Sequence, residues 1–315
     1  MGSHIVKQLT DRGNKVAIID NFSSGSKQNL QDLGINQECI VGDLRDPSFA
    51  KSSLKNVECV YHFAAEVGSV QYLHGSGANE LAAFQSNNLI DTNTFRACIE
   101  NGIKRILYAS SVSVYPFKDQ MKAGEPFREE DSQRVVDPEG GYGWSKYIAE
   151  KQLEMMSGIS VGIARIFHAY GKNIYLKPDR SQVIASLIRK AIRYPKEGFV
   201  IWGDGNQRRC FVHIDDALLA FAKMEDYLGH NDKITINIGS QEEISVLELA
   251  RKIIGLSKKK IDLEFDPKKP TGALFRKPSI DRANRLLDWK PIVPFDEGLK
   301  STFEWAENRL ELGAE

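Results

Sequence analysis

Tyr142 and Lys146 stand four residues apart in the stretch 142–146, YGWSK, and would lie one turn apart on the same face of a helix. A free phenol, with a pKa of about 10, is a poor base at neutral pH, but a nearby ammonium favours the tyrosinate and lowers that pKa. Such a tyrosine can take a proton from a substrate hydroxyl or return one to a carbonyl. The same spacing also fits a packed tyrosine beside a solvated lysine, so the two residues form a site only if the rest of the chain supports one.

The first half of the chain alternates short apolar strands with helices. Strands are predicted at 15–19, 38–41, 57–63, 103–109 and 160–166. Helices are predicted at 5–12, 80–100 and 142–156. This alternation is typical of a parallel sheet with helices on both faces, in which ligands bind at the carboxyl ends of the strands. The candidates for a ligand site are therefore the residues at those ends: Asp20, Asp43, Ala64, Ala65, Ser110, Ser111 and His168.

Asp20 closes the strand at 15–19, where an acidic residue suits a hydrogen bond to an adenosine ribose. Its charge repels a 2′-phosphate and so favours NAD over NADP, although a loop or helix-capping aspartate is the other interpretation. The glycine loop that binds pyrophosphate in such a unit is not present, but Asp20 lies 18 residues after Gly2, near the usual interval of about 20. We therefore expect Gly2 to be the last glycine of that loop, with the first strand upstream of residue 1.

The second half has shorter strands and longer loops. An amphipathic helix is predicted at 179–194, and strands are predicted at 234–238 and 261–265. Ser245 with Glu248 forms a capping-box pattern at the start of another helix. We expect two domains with a boundary near Ile166. The first comprises 1–166 plus about 212–238, and the second, smaller α/β domain comprises 167–211 plus 239–315.

The composition excludes several classes of function. Lys and Arg number 42, as do Asp and Glu, so the net charge is zero, which argues against a broad surface for nucleic acid or anionic membrane. No apolar run approaches the roughly 20 residues of a membrane span. The four cysteines show no metal-ligand or disulfide pattern. We expect a cytoplasmic protein with reduced thiols and no metal site.

The motifs together carry a resemblance. In chain order they are GSHIVKQL, VAIIDNFSSG, GDLRD, YHFAA, YASSVSVYP, YGWSK, RIFHAYG, WGDGNQRRCFVHIDD, NIGS and PTGALFRKPSID. The chain resembles the extended short-chain dehydrogenase/reductase family of nucleotide-sugar epimerases and dehydratases, from Gly2 to the C-terminal helix. The resemblance implies a Rossmann-like, doubly wound parallel sheet without its first strand and a smaller C-terminal substrate domain. It also implies NAD as cofactor, a nucleoside-diphosphate sugar as substrate, and a homodimer formed by the helices at about 80–100 and 142–156.

The same resemblance implies roles for individual residues. The catalytic triad would be Ser111, Tyr142 and Lys146. The NAD site would be lined by Gly2, Asp20, Asn21, Asp43, Leu44, Ala64, Ala65, Asn87 and Lys146. The substrate site would contain Ser113, His168, Arg209 and Arg276, and the two arginines would clamp the diphosphate with their guanidinium forks.

The residues at 112, 113 and 182 narrow the choice among the reactions of this family by elimination. Members that dehydrate usually carry Asp-Glu where Val112-Ser113 stands, decarboxylases tend to have Glu in place of Ser113, and 3,5-epimerases have a cysteine there and a lysine near Gln182. A 4-epimerase needs no such group, so we predict transient oxidation at C4 with non-stereospecific return of the hydride. A 4-ketoreductase, a 3,5-epimerase and, because the glycine loop is missing, a non-catalytic nucleotide-binding member remain alternatives. His168 replaces the usual asparagine and either contacts an unusual sugar or phosphate or is a hydrogen-bonded pocket histidine.

Overall fold

The computed structural model describes residues 1–311. The strands are β1 (Ile18–Asp20), β2 (Cys39–Val41), β3 (Cys59–His62), β4 (Arg105–Ser111), β5 (Ser160–Ile166), β6 (Ala169–Tyr170), β7 (Val200–Trp202), β8 (Arg208–Cys210), β9 (Val212–His213), β10 (Lys233–Ile238), β11 (Glu243–Ser245) and β12 (Glu264–Asp266). The helices are α1 (Gly2–Asp11), α2 (Lys27–Gln31), α3 (Pro47–Ser53), α4 (Val70–His74), α5 (Gly77–Glu100), α6 (Phe117–Gln120), α7 (Asp131–Arg134), α8 (Gly140–Met155), α9 (Val183–Arg193), α10 (Ile214–Leu228), α11 (Val246–Ser257), α12 (Asp281–Leu287) and α13 (Phe295–Glu311). Within that range no helix has the length and apolar character needed to cross a membrane.

The main sheet consists of four parallel strands in the order β10, β5, β4, β3. Strand β4 ends level with β5, because Ser111 is the register partner of Ile166. Strands β1 and β2 form a separate parallel pair in which Asp20 lies opposite Val41. Across the described residues, this pair makes no ladder with the four-stranded sheet. Asp20 and Ser111 thus each end a parallel strand, as predicted.

Helices cover both faces of the main sheet. On one face Leu9 of α1 and Phe221 of α10 pack with Ile236 of β10 in one buried cluster. On the other face Phe95 of α5 and Leu153 of α8 pack in a second cluster with buried side chains of β4 and β5. Burial on both faces explains the continuous apolar strand sequences. The predicted doubly wound parallel sheet is confirmed.

A further cluster forms beyond the main sheet from α9, α11 and α13, and its buried side chains include Ile188, Leu249 and Phe303. Two short strand pairs, β7 with β12 and β8 with β11, lie in the same part of the chain. The predicted capping box of α11 is confirmed, since Ser245 and Glu248 exchange side-chain and backbone hydrogen bonds. The C-terminal segment also returns to the first cluster through α12. The predicted domain bounds remain a proposal.

A buried ion pair fixes α8 against the sheet. Arg165 of β5 donates from Nη2 to Glu150 of α8 over 2.6 Å, and Ser110 of β4 donates to the same carboxylate. Breaking such a pair costs about 3–5 kcal/mol, because a buried charge is left without its partner. The helix that carries Tyr142 and Lys146 is therefore held against the end of β4.

Candidate active site

The first turn of α8 lies against the turn at 112–114 that follows β4. Glu139 donates its backbone N–H to the carbonyl of Ser113 over 2.9 Å. Gly143 allows this approach, because a Cβ there would lie 2.4 Å from the Ser113 carbonyl oxygen. The phenol of Tyr142 is thereby brought to Ser111, whose side chain interacts with it by hydrogen bonding. Sequence reasoning predicted this pair from two separate motifs.

Lys146 is buried behind the tyrosine, with 2% of its surface exposed. Its Nζ donates to the carbonyl of Ala109 over 3.0 Å and lies 4.5 Å from the centre of the Tyr108 ring. Burial lowers the pKa of Lys146, while the carboxylates of Asp91 and Glu150 raise it. An ammonium has three N–H donors, so two remain for hydroxyl groups of a ligand such as a ribose.

Asp91 anchors a buried polar cluster beneath the lysine. Its carboxylate accepts the Tyr108 hydroxyl over 3.0 Å and pairs with Nε2 of His62 over 2.8 Å. Asp91 is 29 residues from His62 in sequence, and its negative charge acts on both Lys146 and Tyr142. The sequence analysis did not identify this residue; its only signal was an acidic residue on the apolar side of a long helix.

Burial dominates the ionisation of the tyrosine. It raises the pKa of Tyr142 to about 12, and the carboxylates of Asp91 and Glu139 act in the same direction. Hydrogen bonding with Ser111 and the charge of Arg276 lower the pKa by less. The predicted net lowering of the pKa is therefore wrong for the protein by itself, because the expected effect of the lysine does not overcome the cost of a buried tyrosinate.

Asp20 is the last residue of β1, and its two carboxylate oxygens have different neighbours. One accepts a hydrogen bond from the loop that follows, and the other lies beside Gly25. Its Oδ1 accepts the backbone N–H of Phe22 over 2.7 Å. This contact is the one expected for a loop aspartate, the other interpretation of this residue. A Cβ at Gly25 would lie 2.7 Å from Oδ2. A side chain there would cover the carboxylate, so the glycine leaves it accessible to a ligand hydroxyl. This geometry fits the adenosine ribose of NAD.

Asn21 and Asp43 meet between β1 and β2. The Asn21 amide donates to Asp43 over 3.3 Å, and Arg45 pairs with the same carboxylate over 2.6 Å. Hydrogen bonding from Arg45 is the main cause that lowers the pKa of Asp43 to about 2. Leu44 is partly buried and packs against the cluster beneath the sheet. Asp20, Asn21 and Asp43, three of the predicted cofactor residues, thus lie together at the carboxyl ends of β1 and β2.

Asn87 uses its amide to hold the loop after β3. Its Oδ1 accepts the backbone N–H of Glu66 over 2.7 Å, and its Nδ2 donates to the carbonyl of Glu66 over 3.1 Å. The amide thus fixes the backbone directly after Ala64 and Ala65.

Gly2 begins α1, and a Cβ at this position would meet no atom within 4 Å, so the described structure does not itself require glycine there.

Two arginines are buried close together beyond the tyrosine. Arg209 and Arg276 are 6% and 8% exposed. Burial and, to a smaller extent, the charge of Arg276 lower the pKa of Arg209 to about 9. The Arg209 fork is oriented by backbone carbonyls, including that of Thr271 over 3.2 Å. Two buried, mutually repelling guanidinium groups form a favourable site for an anion with two phosphates.

His168 lies beside these arginines in a strained conformation. Its φ is 48°, in the left-handed region that a residue other than glycine seldom adopts. Burial, then Arg276 and Arg209, keep its pKa well below the usual value, so the ring is neutral. Within residues 1–311 its Nδ1 is buried without a hydrogen-bond partner. This atom is available to a ligand group.

Glu139 joins the predicted residues, although the sequence analysis did not select it. Its Oε2 accepts the Ser113 hydroxyl over 3.0 Å and also the Nη2 of Arg276. Glu139 is 7% exposed and lies three residues before Tyr142. The sequence carried one signal for it, an acidic side chain directly before the first turn of the helix with the tyrosine. Ser113, Arg276 and Tyr142 therefore share a site with a buried carboxylate.

The arrangement of these residues agrees with comparisons between this chain and known proteins. A family model described as "Epimerase: NAD dependent epimerase/dehydratase family" matches residues 1–239. A UDP-N-acetyl-alpha-D-glucosaminuronate decarboxylase of Bacillus cytotoxicus is 30% identical over 97% of this chain and 94% of its own. GDP-mannose 3,5-epimerase of Arabidopsis thaliana is 28% identical over 99% of this chain and 80% of its own. The resemblance read from the motifs is confirmed.

Solved structures share the fold. The UDP-glucose 4-epimerase of Thermotoga maritima superposes with a TM-score of 0.85 at 23% identity, covering 98% of this chain and 96% of that one. A UDP-N-acetylglucosamine 4-epimerase of Methanobrevibacter ruminantium M1 gives 0.83 at 27% identity, covering 98% and 95%. These relatives and neighbours differ in the reaction after which they are named, so the reaction of this chain must be argued from its own residues.

Proposed function

The chain belongs to the NAD-dependent epimerase/dehydratase family, and from this premise we propose that it epimerises a nucleoside-diphosphate sugar at C4. The observation that carries the proposal is the meeting of Tyr142 with Ser111 at the carboxyl end of β4, one helical turn from the buried Lys146. A phenol and a second hydroxyl that both hydrogen-bond the same substrate oxygen are the groups needed to move a proton between an alcohol and a ketone.

The protein's residues hold the sugar and move its proton. The phenolic oxygen of Tyr142 takes the proton from the O4 hydroxyl, and Ser111 hydrogen-bonds the same oxygen. NAD, when bound, would supply the acceptor and then the donor of the C4 hydride. Arg209 and Arg276 would hold the diphosphate while the 4-keto sugar turns over, and Tyr142 would then return the proton to O4.

The cofactor site is proposed along the ends of β1 to β3. Asp20 is suited to the adenosine ribose because its Oδ2 is left accessible beside Gly25. Asn21, Asp43 and Leu44 would line the adenine side, and Ala64, Ala65 and Asn87 the middle of the cofactor. Lys146 has donors to spare for the nicotinamide ribose. We assign Gly2 to the pyrophosphate end because it begins α1.

The groups around Ser113 favour epimerisation at C4 over epimerisation at C3 and C5. A 3,5-epimerase must remove and return protons at the carbons beside the ketone, which needs an acid and a base there. Residue 113 offers a hydroxyl, already donated to Glu139, and Glu139 is itself paired with Arg276. Neither group is a ready base, whereas C4 chemistry needs only Tyr142 and Ser111.

We also propose a cytoplasmic homodimer. Large apolar side chains are exposed on α5 and α8: Leu81, Leu89, Ile99, Trp144 and Met155. The two helices are joined on their surface by a hydrogen bond between Thr92 and Gln152, so they present one continuous face.

The proposed cytoplasmic location is supported by the cysteines. Within the described residues Cys39, Cys59, Cys98 and Cys210 are free thiols, as is usual for a reducing compartment.

The proposed reaction is tested by incubating the protein with NAD and, separately, UDP-glucose, UDP-N-acetylglucosamine and GDP-mannose. Proton NMR of the products should show the C4 epimer of one of them, and the absorbance of NADH should show no net change. Inversion at C3 or C5 would favour the 3,5-epimerase alternative. Net consumption of NADH with a 4-keto sugar would favour the reductase, and no conversion with any sugar would favour a binding role.

A further inference from the structure

A short segment after β3 joins the cofactor side of the proposed site to the helix that carries the reacting tyrosine. This segment, residues 66–74, includes α4 and is called the strap below. At its start the backbone of Glu66 is held by both ends of the Asn87 amide, over 2.7 and 3.1 Å. Further along, α4 packs against α8, on which Tyr142 lies. The strap therefore begins beside the residues proposed for NAD and ends beside α8.

The strap also reaches the turn that orients the proposed diphosphate clamp. A Cβ at Gly272 would lie 3.0 Å from Cγ2 of Val70, the first residue of α4, and 3.9 Å from Oε1 of Glu139. The preceding residue, Thr271, accepts Nη2 of Arg209 at its carbonyl over 3.2 Å. The strap therefore borders the space between the cofactor residues and the clamp, which a nucleotide sugar must enter.

Arg180 fixes the strap from the C-terminal part of the chain, since it lies in the segment between β6 and α9. Its Nη1 pairs with Oε1 of Glu66 over 2.7 Å. Its guanidinium also lies over the Tyr72 ring, 4.4 Å from the centre. The Tyr72 hydroxyl donates to the same Glu66 carboxylate. One guanidinium thus holds both the first residue of the strap and a residue of α4.

The exposure of these contacts indicates that the strap can open. The side chains of Arg180 and Glu66 are 20% and 21% exposed, so solvent weakens their attraction. The stack over Tyr72 adds a cation–π interaction. Together they change the population of an open strap by about tenfold. The pair between Arg165 and Glu150 that fixes α8 is, by contrast, fully buried.

We propose that Arg180 is a positioning residue that keeps the strap closed over a bound nucleotide sugar, and that the strap opens to admit and release it. The inference rests on the proposed function, because it takes Arg209 and Arg276 as the diphosphate clamp. The closing contacts join protein side chains to each other, so they act in the free and the bound protein alike. Their loss should speed association and dissociation by a similar factor and leave the affinity nearly unchanged.

Stopped-flow fluorescence in the presence of NAD tests this, with the N-methylanthraniloyl derivatives of UDP and GDP as probes. Mixing gives the association rate, and displacement by excess unlabelled nucleotide gives the dissociation rate. Arg180→Gln should raise both rates about tenfold and change Kd by less than about threefold. Glu66→Gln should have the same effect. The double variant should be no faster than either single variant, because both changes remove one interaction.

Lys177→Gln is the matched control, since Lys177 is an exposed cation three residues before Arg180, and it should leave both rates unchanged. Tyr72→Phe keeps the stacked ring but removes one hydrogen bond, so it should raise both rates by a smaller factor. This variant decides if Arg180→Gln does not fold.

Unchanged rates in Arg180→Gln would overturn the inference and leave the epimerase proposal standing. A weaker affinity with an unchanged association rate would also overturn it, because Arg180 would then act by contact with the ligand. Binding of neither nucleotide by the wild-type protein would overturn the inference together with the diphosphate clamp.

Discussion

Nζ of Lys146 lies 5.9 Å from the centre of the Tyr142 ring. The ammonium donates to the carbonyl of Ala109, while the phenol interacts with Ser111. The two side chains thus share a face of α8, as their spacing predicts, but the lysine does not set the ionisation of the tyrosine in the protein alone. Burial and the carboxylates of Asp91 and Glu139 oppose it.

Removal of the phenolic oxygen of Tyr142 should stop the reaction without preventing the binding of the nucleotide sugar. We expect Tyr142→Phe to lower kcat by about 10³-fold or more, because proton transfer to and from O4 is lost. The affinity for the nucleotide sugar should stay within about threefold of wild type, as measured by calorimetry. Tyr147→Phe, five residues further along α8, is the control and should keep its rate. A Tyr142→Phe protein with most of its activity would refute the proton-transfer role.

The arginine fork should matter for binding more than for chemistry. Arg209→Ala removes a buried guanidinium from the proposed diphosphate clamp and should weaken binding about 10- to 100-fold, as expected for charge-assisted hydrogen bonds. Arg208→Ala is a sharp control, because that neighbouring side chain pairs with Glu243 instead. Titration calorimetry with UDP and with the substrate measures both. Equal affinities in Arg209→Ala and wild type would show that the clamp assignment is wrong.

The pH dependence should follow the raised pKa of the tyrosine. Since the pKa of Tyr142 is about 12 and the oxidation step uses the tyrosinate, kcat should rise with pH across the neutral and mildly alkaline range. Asp91→Asn removes a charge that raises this pKa, so more tyrosinate is present at a given pH and the profile should move to lower pH. Circular dichroism checks folding, because Asp91 also binds His62. A profile that moves to higher pH would contradict this account.

The exposed apolar face of α5 and α8 should hold two copies together. Leu89→Glu places a charge in that face and should convert a dimer into a monomer in multi-angle light scattering. Ile292→Glu changes an equally apolar residue, 67% exposed and outside both helices, and should leave the dimer intact. A wild-type protein that is monomeric at micromolar concentration would overturn the proposal.

Local patterns predicted the elements well. The strand at 160–166 has the predicted bounds, and the capping box at Ser245 forms as expected. The last short strand is displaced, since β12 covers Glu264–Asp266 instead of 261–265, because an exposed two-stranded pair has little apolar pattern. Such strands are fixed by their partner, here β7, and not by their own sequence.

The site was predictable only in part. Ser111 and Tyr142 each end or begin a regular element, so their meeting follows from the topology of a parallel sheet. Glu139 is 137 residues from Arg276 in sequence, and nothing local indicates that they pair. The raised pKa of Tyr142 likewise depends on burial, which the spacing to Lys146 does not report.

The transfer of hydrogen from C4 to the cofactor and back tests the central claim most directly. The protein is incubated with NAD and a nucleotide sugar that carries deuterium at C4, and the product is examined by NMR and mass spectrometry. We predict an inverted C4 that retains the deuterium, because the hydride leaves and returns without exchange with solvent. Loss of the label to water, or a product inverted at a carbon other than C4, would contradict the proposed function.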